Sequence, residues 1–290
     1  MGHVDQRAGL AGRVAMVVGG AGGLGRACVD DLAAAGVELV VCDRDRAALA
    51  AMAARSPSGG ARLVTVEGDA RDPDSLESFF AEADDAFGRL DVLVNVVGGT
   101  FHQPFLDSNP RGWDGLIRTN FSWLLTAVQL AAPRMRAAGG GSIINFTTSE
   151  AHHAAPGFAV YAAMKSAVTS LTRTLAVELG PDAIRVNCIA PKIVPTEAMD
   201  AIGSEAATRH AQAARLAIPL GRVGTYTDIG GCVLFLASDL SAYVTGTTLH
   251  PDGGGLAATG WLNWPGEGWS TLPPSELLEA LDGSRGGVEP

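Results

Sequence analysis

Tyr161 and Lys165 stand four positions apart in YAAMK, and a Thr147-Thr148-Ser149 cluster lies upstream in NFTTSEAHH. On a helix, side chains at this spacing share one face. A free phenol ionises at about 10, too high for a good base at neutral pH, whereas a neighbouring ammonium favours the phenolate. The pair is therefore an acid/base device, with Lys165 expected to lower the tyrosine pKa. Such a device needs a further hydroxyl to hold the substrate oxygen, and Thr147, Thr148 and Ser149 are all candidates. His152 and His153 follow directly. Adjacent histidines need not face one site, and no carboxylate pattern joins these two into a metal centre. We expect no metal and read 149–158 as a loop lining a substrate pocket, with Ser149, Glu150, His152, His153 and Phe158 as its candidate contacts.

A second chemical centre lies near the amino terminus. VAMVVGGAGGLGRACVDDLAAAG runs from an apolar strand through Gly19, Gly22, Gly23, Leu24 and Gly25 into a helix. Glycines at such a turn let backbone approach a pyrophosphate, whose charge sits at the helix amino terminus. A second strand ends in Asp43, where a carboxylate can accept both adenosine ribose hydroxyls and repel a 2′-phosphate. Arg44 follows and could bind that phosphate instead. With Asp43 at the strand tip and no basic residue between Gly19 and Gly25, the sequence favours NAD(H) over NADP(H).

Both centres must be carried by a regular scaffold. Apolar strand-like runs at Val14–Val18, Glu38–Cys42, Arg62–Glu67, Val92–Val96 and Ser142–Phe146 alternate with alanine-rich stretches, including helices through about Ala35 and over Arg46–Ala54. Short β-rich runs separated by helices predict an α/β fold, a doubly wound parallel sheet with helices on both faces. One domain spans residues 1–255 and holds both the cofactor and substrate sites. Residues 256–290 carry three of the five tryptophans and much Pro and Gly; we expect an irregular extension ending in a short helix, Ser275–Leu281.

Motifs along 12–255 resemble the short-chain dehydrogenase/reductase family, in its classical branch. Its Thr-Gly-x-x-x-Gly-x-Gly loop is similar to Val18–Gly25, with valine in the threonine position. The resemblance implies a Rossmann-type fold and an adenine contact from Asp69 and Ala70 in GDARD. It matches Asn95 and Gly98 to the outer members of Asn-Asn-Ala-Gly, with Val96 and Val97 expected to prolong the strand. Asn120 matches a helical asparagine that would anchor a water on a proton path from Lys165. The family's catalytic serine stands thirteen residues before its tyrosine, which selects Thr148, leaves Ser149 as fallback and turns Thr147 the other way. PKIVPTEAM matches Pro-Gly-x-Val-x-Thr, so Pro191, Val194 and Thr196 would touch the cofactor. Lys192 replaces the glycine and could pair with an acidic substrate group or point to solvent. Tyr161 and Lys165 would also contact the nicotinamide ribose.

The resemblance implies an oxidoreductase interconverting a secondary alcohol and a ketone on a small-to-medium apolar substrate, alicyclic, steroid-like or a secondary metabolite. A 3-oxoacyl-thioester reductase is the near alternative. A non-catalytic dinucleotide sensor or scaffold is the distant one, and retention of Asn120, Tyr161 and Lys165 argues against it. A cofactor-free lyase would be expected to lose the glycine loop. Family members commonly assemble as homotetramers, so an oligomer is expected. Trp261, Trp264 and Trp269 could pack on a neighbouring subunit or close over the substrate cleft.

Bulk properties fit this reading. A net charge of −10 and a pI of about 5.0 argue against a nucleic-acid surface, which needs concentrated positive charge. There is no apolar run of the roughly 20 residues needed to span a bilayer. The amino terminus lacks an apolar signal core, and Gln6 does not fit a myristoylation site. Cys28, Cys42, Cys188 and Cys232 have no metal-ligand or redox spacing and read as core residues of a cytoplasmic protein.

Overall fold

The computed structural model describes residues 2–55, 58–196 and 204–284. Seven strands form one parallel sheet: β1 Val14–Val18, β2 Glu38–Asp43, β3 Leu63–Glu67, β4 Val92–Asn95, β5 Gly141–Phe146, β6 Ile184–Ile189 and β7 Thr248–Leu249. Their spatial order is β3-β2-β1-β4-β5-β6-β7, so the chain reverses its winding between β1 and β4. Register places Val18 opposite both Cys42 and Asn95, which brings three strand ends to one edge.

The continuous apolar run of β1 is what a strand covered on both faces requires, and all five of its residues are buried. Alternation sends Ala15 and Val17 into one core layer and Met16 and Val18 into the other. The first layer is filled by α2 (Gly23–Ala34) and the helix Tyr226–Ala237. Helices α4 (Pro73–Phe87), α6 (Trp123–Ala137) and α7 (Ala159–Leu179) supply the second, around Phe79, Phe80 and Leu124. The architecture is thus the doubly wound α/β sheet expected, in a single domain.

Between α5 (Pro110–Ile117) and α6 the helix continues through a wide π turn, Arg118–Ser122. Side chains take up carbonyls of this stretch: Asn120 Nδ2 donates to Leu116 O at 3.0 Å, and Trp123 Nε1 to Thr119 O at 2.9 Å. Such turns often mark functional positions.

Two expectations need correction. Val96 and Val97 do not prolong β4: both amides turn to Val18 O, at 3.0 and 3.3 Å, as the chain leaves the sheet. The carboxy-terminal extension is not irregular before its helix. Leu262–Trp264 (β8) and Gly268–Ser270 (β9) pair as an antiparallel hairpin, turned by Gly266 and Gly268 at φ 82° and 77°. β8 packs on α8 (Ser204–Ala217) of the same chain. Trp264 is half-buried while Trp261 and Trp269 remain exposed. The final helix runs Ser275–Ser284, longer than expected.

Candidate active site

A cavity of about 560 Å³ opens where the winding reverses, lined by Val18, Gly19, Gly22, Asp43, Asp69 and Gly98, among others. Ligands of open α/β sheets bind in this crevice. Gly19 has φ 86°, a backbone state that L side chains rarely adopt. At Gly25 a Cβ would lie only 1.9 Å from Gly19 O, so the helix presses directly on the turn. Gly22 leads into α2 without a capping side chain, and the helix start is a ready anion site. Thr196 Cγ2 reaches to 3.6 Å from where a Gly23 Cβ would be, placing this threonine over the same helix start.

Asp43 Oδ2 accepts from Ala21 N at 3.0 Å and Oδ1 from Asp45 N at 3.1 Å. Each carboxylate oxygen retains acceptor capacity for a ribose hydroxyl. Arg44 and Ala70 line the same cavity. Asp69 does too, but Arg71 grips its carboxylate with Nε at 2.9 Å, and this hydrogen-bonded cation holds the Asp69 pKa down at about 2. Glycine turn, helix start, carboxylate-tipped strand and cavity together fit a dinucleotide.

Not every expected cofactor residue faces that space. Asn95 is buried and donates to Asn145 Oδ1 at 2.9 Å; Asn145 in turn donates to Thr172 at 2.9 Å. We correct its role to a brace between β4, β5 and α7. Leu24 packs partly buried against the first core layer. Pro191 accepts Ser149 N at 3.0 Å, and Val194 is 6% exposed.

Two of the catalytic candidates meet beside Gly98. A Cβ there would meet Lys165 Nζ at 3.0 Å and Asn120 Oδ1 at 3.1 Å. Asn120 clamps the loop, accepting from Gly99 N at 3.1 Å and donating to Gly99 O at 2.8 Å. Lys165 Nζ donates to Phe146 O at 3.0 Å, and burial pulls its pKa from 10.5 down to about 8. Thr147 turns inward, donating to Lys165 O at 2.9 Å. Thr148 donates to a carboxylate oxygen of Glu150 and hydrogen-bonds Tyr161.

The electrostatics differ from expectation. Burial, with the Glu150 charge adding to it, raises the Tyr161 pKa, and the Thr148 hydrogen bond opposes both. The Lys165 ammonium donates to the Phe146 carbonyl. The net direction for the phenol is upward, opposite to the lowering expected from lysine.

Around this centre, Ser149 is fully buried and its Oγ has no protein partner. The two adjacent histidines separate. The His152 ring meets His250 edge-on at 4.6 Å, while His153 Nδ1 lies 2.8 Å from Ala154 O. Burial, then the positive charges of His250, Arg173 and His153, lower the His152 pKa. Among the described residues no group of His, Cys, Asp and Glu could hold a metal ion. Phe158 packs edge-on against His102 at 5.3 Å. His102 and His250 carried no motif or spacing that could have singled them out. Lys192 lays its stem along Gly255, where a Cβ would meet Cδ at 2.6 Å. The four cysteines are free thiols, and burial raises the pKa of each.

Comparison with known proteins agrees with this layout. The family model described as enoyl-(acyl carrier protein) reductase matches residues 19–255. A tropinone reductase homolog of Arabidopsis thaliana is 35% identical over 255 residues, 87% of this chain and 95% of that protein. The 3-oxoacyl-acyl-carrier-protein reductase FabG of Staphylococcus aureus (strain Mu50) is 33% identical, covering 83% of this chain and 96% of its own. The structure of a 7α-hydroxysteroid dehydrogenase complexed with NADH and 7-oxo glycochenodeoxycholic acid superposes with a TM-score of 0.81 at 30% identity, covering 88% and 98% of the two chains. A glycine turn at the switch point, a tyrosine and lysine one helical turn apart, and matches over nearly the whole domain make this chain a member of the short-chain dehydrogenase/reductase family of oxidoreductases.

Proposed function

We propose that the protein is an NAD(H)-dependent oxidoreductase that interconverts a secondary alcohol and a ketone on a small-to-medium apolar substrate. The observation that carries this reading is that Lys165 and Asn120 meet at Gly98 on the wall of the dinucleotide cavity, with Tyr161 one helical turn from Lys165 and hydrogen-bonded to Thr148. The nicotinamide, when bound, accepts or supplies the hydride. Thr148, whose one proton turns from Glu150 to the substrate, holds the substrate oxygen and steadies the charge that develops on it. Tyr161 removes the carbinol proton in oxidation and returns it in reduction. Lys165 binds the nicotinamide ribose, and Asn120 fixes the loop at Gly98 and Gly99 against which the cofactor rests. Pro191, Val194 and Thr196 close the other side of the cofactor.

Asp43 supports NAD(H), because a carboxylate at the tip of β2 favours ribose hydroxyls and repels a 2′-phosphate. Similarity to a tropinone reductase homolog and to a hydroxysteroid dehydrogenase supports the substrate class. Similarity to FabG favours a second reading, reduction of a 3-oxoacyl thioester. A cytoplasmic homotetramer is part of the proposal. Among the described residues no helix is long and apolar enough to cross a membrane.

Initial rates with NAD(H) and NADP(H) over alicyclic, steroid and 3-oxoacyl-thioester substrates test the reading. Turnover of an alcohol or ketone preferring NAD(H) is expected. Tight dinucleotide binding with no turnover of any substrate would point to a sensor instead.

A further inference from the structure

Glu150 is a half-buried carboxylate whose hydrogen-bonding partner is the Thr148 hydroxyl. Among the described residues no cation pairs with it. A carboxylate offers about four acceptor positions, so most of its capacity is unused. Taking such a charge partly out of water is unfavourable unless donors reach it. Tyr161, Thr148 and Glu150 form a row of oxygens, phenol to hydroxyl to carboxylate.

The row has a geometric consequence. In the proposed reaction the carbinol oxygen sits against Tyr161 and Thr148. The Glu150 acceptor then lies one hydrogen-bond length further along. Gauche oxygens on neighbouring carbons are separated by roughly 2.9 Å, about that same length. We propose that Glu150 sets specificity by accepting a hydrogen bond from a hydroxyl on the carbon next to the one oxidised, so the preferred substrate is a vicinal diol and its product an α-hydroxy ketone. This rests on the roles given to Thr148 and Tyr161 above. One C–H bond breaks and its hydride reduces the oxidised nicotinamide. The carbinol proton passes to the Tyr161 phenolate, the C=O bond forms, and the second hydroxyl keeps its proton. Glu150 only accepts the hydrogen bond and takes no part in the bond changes.

Steady-state oxidation by the full-length wild-type protein should be compared for cyclohexanol, cis- and trans-cyclohexane-1,2-diol, and 2-methoxycyclohexanol. A hydrogen bond to a charged acceptor is worth roughly tenfold to a hundredfold. The better diol should therefore exceed cyclohexanol in kcat/KM by at least about tenfold. The methyl ether, which keeps the oxygen and loses the donor, should forfeit that gain. Glu150→Ala should shrink the diol-to-cyclohexanol ratio at least fivefold, whichever way the cyclohexanol rate itself moves. NADH fluorescence titration checks that the variant binds dinucleotide, and the ether comparison needs no variant at all. A smaller wild-type preference, an ether as good as the diol, or a ratio the substitution leaves within fivefold overturns the proposal, while cyclohexanol turnover keeps the oxidoreductase reading. Absence of turnover with all four overturns this proposal, and the steroid and thioester panel above then decides the oxidoreductase reading.

Discussion

Replacing Lys165 with methionine should make the protein more stable while abolishing its activity. Lys165 is 4% exposed, and burial brings its pKa from 10.5 to about 8. A tenfold change in proton affinity corresponds to about 1.4 kcal/mol, so keeping the ammonium buried at pH 7 costs about 3 kcal/mol. Methionine matches the apolar stem but loses the 3.0 Å bond to Phe146 O and leaves that carbonyl without this donor. That loss returns about 1–2 kcal/mol, leaving the variant about 1–2 kcal/mol more stable. Between pH 8 and 10.5 the unfolded lysine still carries its proton while the folded one has shed it. The unfolded state then binds more protons, so wild-type stability climbs with pH across that window. The advantage of Lys165→Met must be largest below pH 8 and shrink above it. Urea unfolding at pH 6.5, 8 and 9.5 without dinucleotide measures the gap, and steady-state rates measure the activity. A variant no more stable at pH 6.5, or a gap that does not change with pH, would refute the argument that the buried charge is strained.

Other substitutions report on neighbouring groups. Thr148→Ala should cut turnover at least tenfold in steady-state assays, with Ser149→Ala much milder; the opposite order would move the hydroxyl role to Ser149. Asp43→Ser should lower the NAD(H) to NADP(H) preference in kcat/KM by about tenfold or more, since an anion beside the ribose is lost; an unchanged ratio would dismiss Asp43 as the selector. Glu150→Gln removes a charge that raises the Tyr161 pKa, so the rising limb of the kcat/KM profile for oxidation, set by deprotonation of the base, should move to lower pH. An upward move would contradict the sign of that interaction.

The first five strands of the sheet were legible because a parallel strand buried on both faces is an uninterrupted apolar run, as in β1 and β2, whereas β6 and β7 were not singled out. The same rule misled at Val96 and Val97. They are apolar but sit where the chain leaves the sheet to make the cleft, and their amides answer to Val18 rather than to a neighbouring strand. The hairpin of the extension escaped because strands of three residues have no readable period, although its Pro-Gly turn was visible. At the site, residue types and spacing pointed to Tyr161 and Lys165, and the family resemblance to Thr148. They could not say which way the Lys165 ammonium points, or that Glu150 folds back onto Thr148. His102 and His250 come from separate loops, and only the fold delivers them to Phe158 and His152.

The π turn at Arg118–Ser122 has a further effect on the helix that contains it. One extra residue in an α-helix rotates everything beyond it by about 100°. The stripe that α5 lays on α7 is therefore out of phase with the stripe that α6 lays on α4. A single helical rod thereby serves two partners in different directions, and Asn120 stands at the phase break. Deleting one residue there would restore an even 3.6-residue rhythm and turn one of the two stripes away from its partner. The irregularity works as a splice, and the side chain that closes it, through Leu116 O, is also the one that grips Gly99.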